Sequence, residues 1–335
     1  MGQSAMPLKS DGAITAPSLA GYLDGAVARG EVARELADLI AVFAAGSIPI
    51  AARLAQGHLT GDPTAKIGKN TSGDVQKALD WGAHEHYLAA FEKVSVAHVL
   101  SEEEEDVLTL DLAALYDVAM DPIDGSGSIG IGAPLGALFG VFPKSGSFLR
   151  QGTEMIAAAY VSFGHSLDFG FSFGNGVVIA TYDAATGQFY VEEQGVTLKP
   201  QTSTVAFNAS NTRRWSRGVQ AYVTDLLAGK DGPRARDFNM RWIAAAVGDL
   251  HRILRRGGVF MYPADPRPGY QDGFLRLAYE AFTIAYLIEQ AGGRASNGKT
   301  PILQLTPSEN HSRVPLFFGS CDEMKTLETY LNSDD

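Results

Sequence analysis

The chain has 335 residues, 45% of them hydrophobic and 19% charged, with a formal net charge of −11. It is long enough for a large core and two domains, and too acidic for the clustered Lys and Arg on which non-specific nucleic-acid binding depends. The single cysteine, Cys321, excludes an internal disulfide and fits a reducing compartment; Met1 to Lys9 lack the apolar stretch of a signal peptide and no apolar run suits a bilayer span, so a cytoplasmic protein without a membrane partner is expected.

In chain order, residues 1 to 16 read as disordered, and residues 17 to 57 carry helical spacing in Leu19, Tyr22, Leu23, Val27, Val32, Leu36, Leu39 and Ile40. A stretch rich in Gly, Thr, Lys and Asn spans 57 to 73 and suits a mobile lid. Residues 74 to 93 are predicted helical. Residues 94 to 193 should hold most of the β-structure, with strands before Ser101 and Asp121 and a hairpin turn over Asp183 to Gly187. The polar stretch from Glu192 to Thr204 marks a boundary between two domains, 1–200 and 201–335. Beyond it, strands near 217, 258 and 315 alternate with helices over 239–254, 278–291 and 321–332, an α/β pattern.

The most informative segment is Asp121-Pro122-Ile123-Asp124-Gly125-Ser126. Two carboxylates three residues apart can face one divalent cation if the chain turns sharply between them, and the small residues after them can expose backbone N–H groups to a phosphate oxygen. Gly125 to Gly130 also fit GxGxxG, but the direct strand-to-helix context of a dinucleotide site is missing. A second acidic run, Glu102-Glu103-Glu104-Glu105-Asp106, follows a strand-like segment; Glu102 and Glu103 are expected at the site and the other three in solvent, because hard cations bind through a few carboxylates plus substrate phosphate. His84 and His86 lie two apart on a helix, face different ways and should be surface or partly buried. Asp168, Asp183 and Asp225 are assigned to turns, the basic run Arg252 to Arg256 to a solvated helix end, and no GxSxG elbow is present.

Taken in order, GDVQKALD, SEE, DPIDGS, FNASN, MRWIAAAVGDLHR, VFMYPAD and LRLAYEAFTIAYLIEQAGG resemble the class I fructose-1,6-bisphosphatases, within the metal-dependent, lithium-sensitive sugar and inositol phosphatases. No Trp-Asp pair of the inositol-phosphatase kind occurs; the late acid is Glu280 in LAYEAF. The resemblance covers about residues 30 to 330 and implies an α/β (α+β) layered α-β-α-β-α sandwich of two domains, assembled as a homotetramer or at least a homodimer. It implies metal ligation by Glu102, Asp121, Asp124, Glu280 and the carbonyl of Ile123, with two or three Mg²⁺ or Mn²⁺ ions per subunit. Asp74 would hold a further metal or the loop before it, while Asp80 and Glu103 would take a proton from the attacking water. Substrate contacts fall on Asp124, Gly125, Ser126 and Arg276 near the 1-phosphate, and on Asn208, Asn211, Tyr262 and Arg241 at the 6-phosphate, Arg241 coming from a neighbouring subunit. The implied reaction is hydrolysis of fructose 1,6-bisphosphate to fructose 6-phosphate and phosphate, serving gluconeogenesis or the Calvin cycle. Sedoheptulose 1,7-bisphosphate is the alternative substrate, and a non-catalytic sugar-phosphate-binding relative the alternative class. Phe274, Trp242, Ala246 and Gly127-Ser128 depart from the family's usual Lys, Tyr, Met and Ser-Asn. Leu115 stands where AMP-regulated relatives carry Lys, so strong AMP inhibition is not expected.

Overall fold

The computed structural model describes residues 13–69 and 75–332. The amino-terminal helices are α1 (Leu19–Ala28) and α2 (Arg34–Ala55); a hairpin of β1 (Lys66–Lys69) and β2 (Val75–Lys77) leads into α3 (Ala78–Phe91). The predicted single helix over 74–93 is therefore shorter, because Val75–Lys77 pair with β1 as strand, and part of the expected lid is ordered hairpin. By length and composition α2 is apolar enough to cross a bilayer, contrary to the sequence reading. Its apolar side is nonetheless spent on the protein: Leu36, Leu39, Ile40, Phe43 and Ile50 are buried with residues of α3 and the main sheet in one core.

That sheet has eight strands: β3 (Val96–Ser101), β4 (Leu108–Thr109), β5 (Tyr116–Asp124), β6 (Leu135–Pro143), β7 (Ala157–Phe163), β8 (Leu167–Ser172), β9 (Val177–Asp183) and β10 (Gln188–Val196), in the order β10-β9-β8-β7-β6-β5-β3-β4. Only β3 and β5 run parallel; the other neighbours are antiparallel. All nine residues of β5 are buried, the signature of a strand covered on both faces. Successive side chains alternate between those faces. Val118 and Met120 join the core under α1–α3; Ala119, Leu138 and Tyr160 join the core on the other side.

The second half contributes β11 (Thr204–Ala206), α4 (Arg217–Leu227), β12 (Asn239–Met240), α5 (Ala246–Arg256), β13 (Val259–Tyr262), β14 (Leu275–Arg276), α6 (Phe282–Gln290), β15 (Arg294–Ser296), β16 (Arg313–Val314), β17 (Leu316–Gly319) and α7 (Cys321–Leu331). A five-stranded sheet, β12-β11-β13-β17-β15, packs over α5 and α6, and α4 and α7 cover its far face through Val219, Tyr222, Val223, Met324 and Leu327. The five layers are thus α1–α3, the large sheet, α5 and α6, the small sheet, and α4 with α7. Two readings are corrected. The segment near 217 is a helix, started by Ser216, whose hydroxyl accepts from Val219 N–H; its apolar residues 219, 222, 223 and 226 follow helical rather than alternate spacing. Helix α5 starts at Ala246, because Asn239–Met240 pair with β11 instead.

Phe139 of β6 is fully buried, stacked on Phe43 of α2 at 4.3 Å and edge-on to Tyr87 of α3 at 4.9 Å. It joins two helices to the sheet at one point. Phe139→Ala should lower unfolding stability by about 3–5 kcal/mol, the range for a buried phenylalanine truncated in a tight core, measured as a lower urea midpoint at unchanged slope; a loss below about 1 kcal/mol would mean that the site collapses around the void.

Candidate active site

The two aspartates of the hexapeptide meet through a bulge in β5 rather than through the expected sharp turn. Asp121 pairs with Leu138 and Asp124 with Gly136, so three steps on β5 match two on β6. In a regular strand, residues three apart point to opposite faces; the extra residue restores Asp124 to the face of Asp121. Ile123 between them enters the opposite core. The strand ends at Gly125, whose φ of +81° is left-handed, and whose missing Cβ leaves room for Ala245, which an added Cβ would meet at 2.5 Å. A short 3₁₀ turn over Ser126–Ser128 follows.

Glu280 arrives from the carboxyl-terminal half, on a single π turn, Leu277–Ala281, that opens into α6. Such one-turn irregularities re-aim side chains at functional sites. One carboxylate oxygen from each of Asp121, Asp124 and Glu280 lies within 4.8 Å of the others. Glu102, just after β3, stands against Asp121, and its backbone N–H binds Met120 O at 3.1 Å. The acids are held from behind. Asp124 Oδ2 accepts from Val247 N–H at 2.6 Å, in the first turn of α5, Asp121 Oδ1 from Ile123 N–H at 2.9 Å, and Glu280 from Arg276 N–H.

Burial and mutual repulsion push these groups far from ordinary carboxylate behaviour. Glu102 is raised to about 8 by burial and by Glu103, and Asp124 to about 6, mainly by burial. Asp121 and Glu280 are raised well above the usual range, by burial first and then by Glu102. Asp80, in the first turn of α3 and 3% exposed, is raised to about 7 by burial and by Glu103, and its Oδ1 is buried without a hydrogen-bond partner. Converging oxygen donors, surplus negative charge and an unpartnered buried oxygen fit a hard divalent cation.

The structure therefore brings Glu102, Asp121, Asp124, Glu280 and Arg276 together, with Asp80 and Glu103 beside each other; Asp74 lies outside the described residues. Asn208 and Tyr262 stand at corresponding places, each two residues past the paired Ala206 and Phe260 of parallel β11 and β13, and Asn211 follows on a 3₁₀ turn begun by Asn208. Arg241 is exposed; its backbone N–H binds Val205 O and its guanidinium Met240 O. Phe274 stacks between Tyr262 and Tyr270, both at 5.2 Å, and Arg313 lies 5.5 Å over its ring, so an aromatic wall with a cation behind it stands where a lysine was expected to be missed.

Sequence reading overlooked several supports. Lys77 binds the carbonyl of Ser126 through its ammonium, and His311 joins Arg276, Tyr279 and the carbonyl of Glu105; each partner is dozens of positions away, so spacing gave no signal. Other placements are corrected. His84 is buried, not superficial, whereas His86 is exposed. Asp168 lies within β8, bound to Thr181 and Ser166, and Asp225 lies in α4, bound to Tyr330; Asp183 does cap a turn. Of the basic run, Arg252 pairs with Asp249 and Arg255 with Glu192 and Glu193.

Comparison with known proteins follows this geometry. The family model described as Fructose-1-6-bisphosphatase, N-terminal domain, matches residues 26–194, and the C-terminal domain model matches residues 198–332. The chain is 46% identical over 319 residues to "Fructose-1,6-bisphosphatase class 1" of Brucella suis, covering 95% of this chain and 94% of the relative, and equally to that of Brucella anthropi. The crystal structure of Leishmania major fructose-1,6-bisphosphatase in holo form superposes with a TM-score of 0.88 at 26% identity, over 95% of this chain and all of that one.

The electrostatics generate a signed prediction. Asp80, Glu102 and Asp124 bind protons more tightly folded than unfolded, where carboxylates titrate near 4. Their contribution to stability is thus full below about pH 4 and lost as pH rises through the folded values of about 6 to 8. In chelator the melting temperature should fall between pH 5 and pH 8, and millimolar Mg²⁺ should flatten that fall. A melting temperature independent of pH in chelator would contradict the carboxylate repulsion.

Proposed function

The chain belongs to the class I fructose-1,6-bisphosphatase family, and from that premise we propose that it removes the 1-phosphate of fructose 1,6-bisphosphate, with Mg²⁺ as the working cation. It is a hydrolase of a phosphate monoester in carbohydrate metabolism. The observation that carries the reading is the convergence of Asp121, Asp124 and Glu280 within 4.8 Å, from two distant parts of the chain, beside a glycine-led turn.

In this reading Glu102, Asp121, Asp124, Glu280 and the Ile123 carbonyl hold the cations, and Asp74 serves the loop or a further ion. When bound, divalent cations supply polarisation of the phosphoryl oxygens and neutralisation of the leaving alkoxide. The protein's own groups do the rest. The backbone N–H groups after Gly125 and the Arg276 guanidinium orient the 1-phosphate and offset its charge, the main task in a loose phosphoryl transfer. Asp80 and Glu103 receive the proton of the attacking water; a carboxyl titrating near pH 7, as Asp80 does, is matched to that work. Asn208, Asn211, Tyr262 and a neighbouring subunit's Arg241 grip the far phosphate in an oligomer that is a homotetramer or at least a homodimer. That grip belongs to the second domain, 201–335, which also lends Glu280 and Arg276 to a phosphatase centre otherwise built from 1–200; the cytoplasm is the proposed location.

A second substrate is favoured by two features. Ala246 opens α5 with a small side chain beside Ala245 at the Gly125 turn, and the aromatic wall of Phe274 replaces a point charge with a flat surface, so sedoheptulose 1,7-bisphosphate should also be accepted. Phosphate release from a panel of sugar mono- and bisphosphates, with and without Mg²⁺, tests the reading. The bisphosphates should be hydrolysed only with the cation, and Asp121→Asn should lose about 10²- to 10³-fold in kcat, the scale on which single electrostatic groups act, while melting at or above the wild-type temperature in chelator because a repelling charge is gone. Near-normal turnover by Asp121→Asn would overturn the ligand assignment.

A further inference from the structure

His84 is 1% exposed and one helical turn beyond Asp80 on α3, so the two face the same way. Its Nδ1 lies 2.9 Å from Ser101 Oγ, itself fully buried at the end of β3. The same hydroxyl accepts from Glu103 N–H at 3.3 Å. A serine hydroxyl has a single proton to give; having accepted from Glu103, it can give that proton to the Nδ1 lone pair of a neutral imidazole. The remaining Nε2–H then points toward Glu104, whose Oε1 is 3.8 Å away, and the ring packs on Trp81 at 5.1 Å. Burial holds His84 down to about 4, so the ring stays neutral across the working range.

We propose that His84, through Ser101, is a positioning residue that fixes the separation of Asp80 and Glu103, the pair assigned above to receive the proton of the attacking water. The two carboxylates come from different elements, Asp80 from α3 and Glu103 from just after β3. The His84–Ser101–Glu103 chain is a direct polar link between those elements at this level, and it sets where the Glu103 backbone stands relative to the helix that carries Asp80. Ser101 also precedes Glu102, so one hydroxyl anchors the start of the acidic run. The inference rests on the proton-acceptor reading of Asp80 and Glu103.

The test compares His84→Leu, His84→Asn, Ser101→Ala and the double variant His84→Leu/Ser101→Ala, with Asp80→Asn and Glu103→Gln as controls, all as full-length protein with Mg²⁺ and fructose 1,6-bisphosphate. His84→Leu and Ser101→Ala should each lower kcat by about 10- to 100-fold, the cost of misplacing a catalytic group by an ångström or less, with KM unchanged, since neither touches the phosphates. Asparagine offers an amide oxygen near the place of Nδ1, so His84→Asn should keep most of kcat; leucine fills the space without an acceptor. The double variant should fall no further than the single ones, because both break one link. Should His84→Leu fail to fold, Ser101→Ala and His84→Asn carry the comparison. Full kcat in Ser101→Ala while Asp80→Asn and Glu103→Gln are inactive would overturn this inference alone; full kcat in Asp80→Asn and Glu103→Gln would overturn the proton-acceptor reading and this inference with it.

Discussion

Negative charge collected where the protein is dry is the constraint on which the rest depends. Asp121, Asp124 and Glu280 are all at most 6% exposed, share a space under 5 Å across, and have Glu102 at their edge. Several ionised carboxylates cannot stay together in such a medium without a counter-charge; they hold protons or they hold a cation. The neighbouring cations do not suffice, since Arg276 lowers Glu102 and Glu280 only as a minor influence against burial. In the proposed function a divalent cation relieves that repulsion and supplies the site's chemistry.

The layered architecture explains how such a cluster is assembled and kept. Strand β5 lies in the interior of the large sheet, so its end opens into the middle helical layer rather than into solvent. Both helices of that layer contribute at their amino ends: α5 gives the Val247 N–H to Asp124, and the π turn before α6 delivers Glu280. Helix amino ends stabilise carboxylates through their unpaired N–H groups. Gly136 on β6 shows how tight the junction is, because an added Cβ there would lie 2.0 Å from Val161 O and 2.7 Å from Val247. Strand, bulge and helix start are therefore packed as one unit, and the acids are preorganised before any substrate arrives.

Much of this was legible in the residues. The order of motifs pointed to the family and to its layered fold; Asp121 and Asp124, singled out by their spacing, converge with Glu280, which only the resemblance implied. The bulge was not legible, because DPID carries no marker that separates a tight turn from a strand with one residue too many; pairing with β6 decides it. Residues 217–227 misled because Val219, Tyr222 and Val223 suit either state over a short window, while the decisive cap, Ser216, sits just outside it. His84 was misplaced for a related reason: helical spacing says that 84 and 86 diverge, but not which of them faces the sheet, and only the packing of α3 on β3 and β5 settles that. Long-range supports such as Lys77 to Ser126 and His311 to Arg276 join residues dozens of positions apart, where one sequence holds no record of proximity.

Calorimetric titration of the metal-free protein with Mg²⁺ at pH 7, repeated in two buffers of different ionisation enthalpy, tests the central claim most directly. Glu102, raised to about 8, is largely protonated there and must give up its proton as a cation takes its place, and Asp80, raised to about 7, is drawn toward its charged form by the nearby ion. The account predicts a binding heat that differs between the buffers in the direction of net proton release, with the release shrinking as the titration is moved to pH 9. Binding with the same heat in both buffers, or no binding at all, would contradict it.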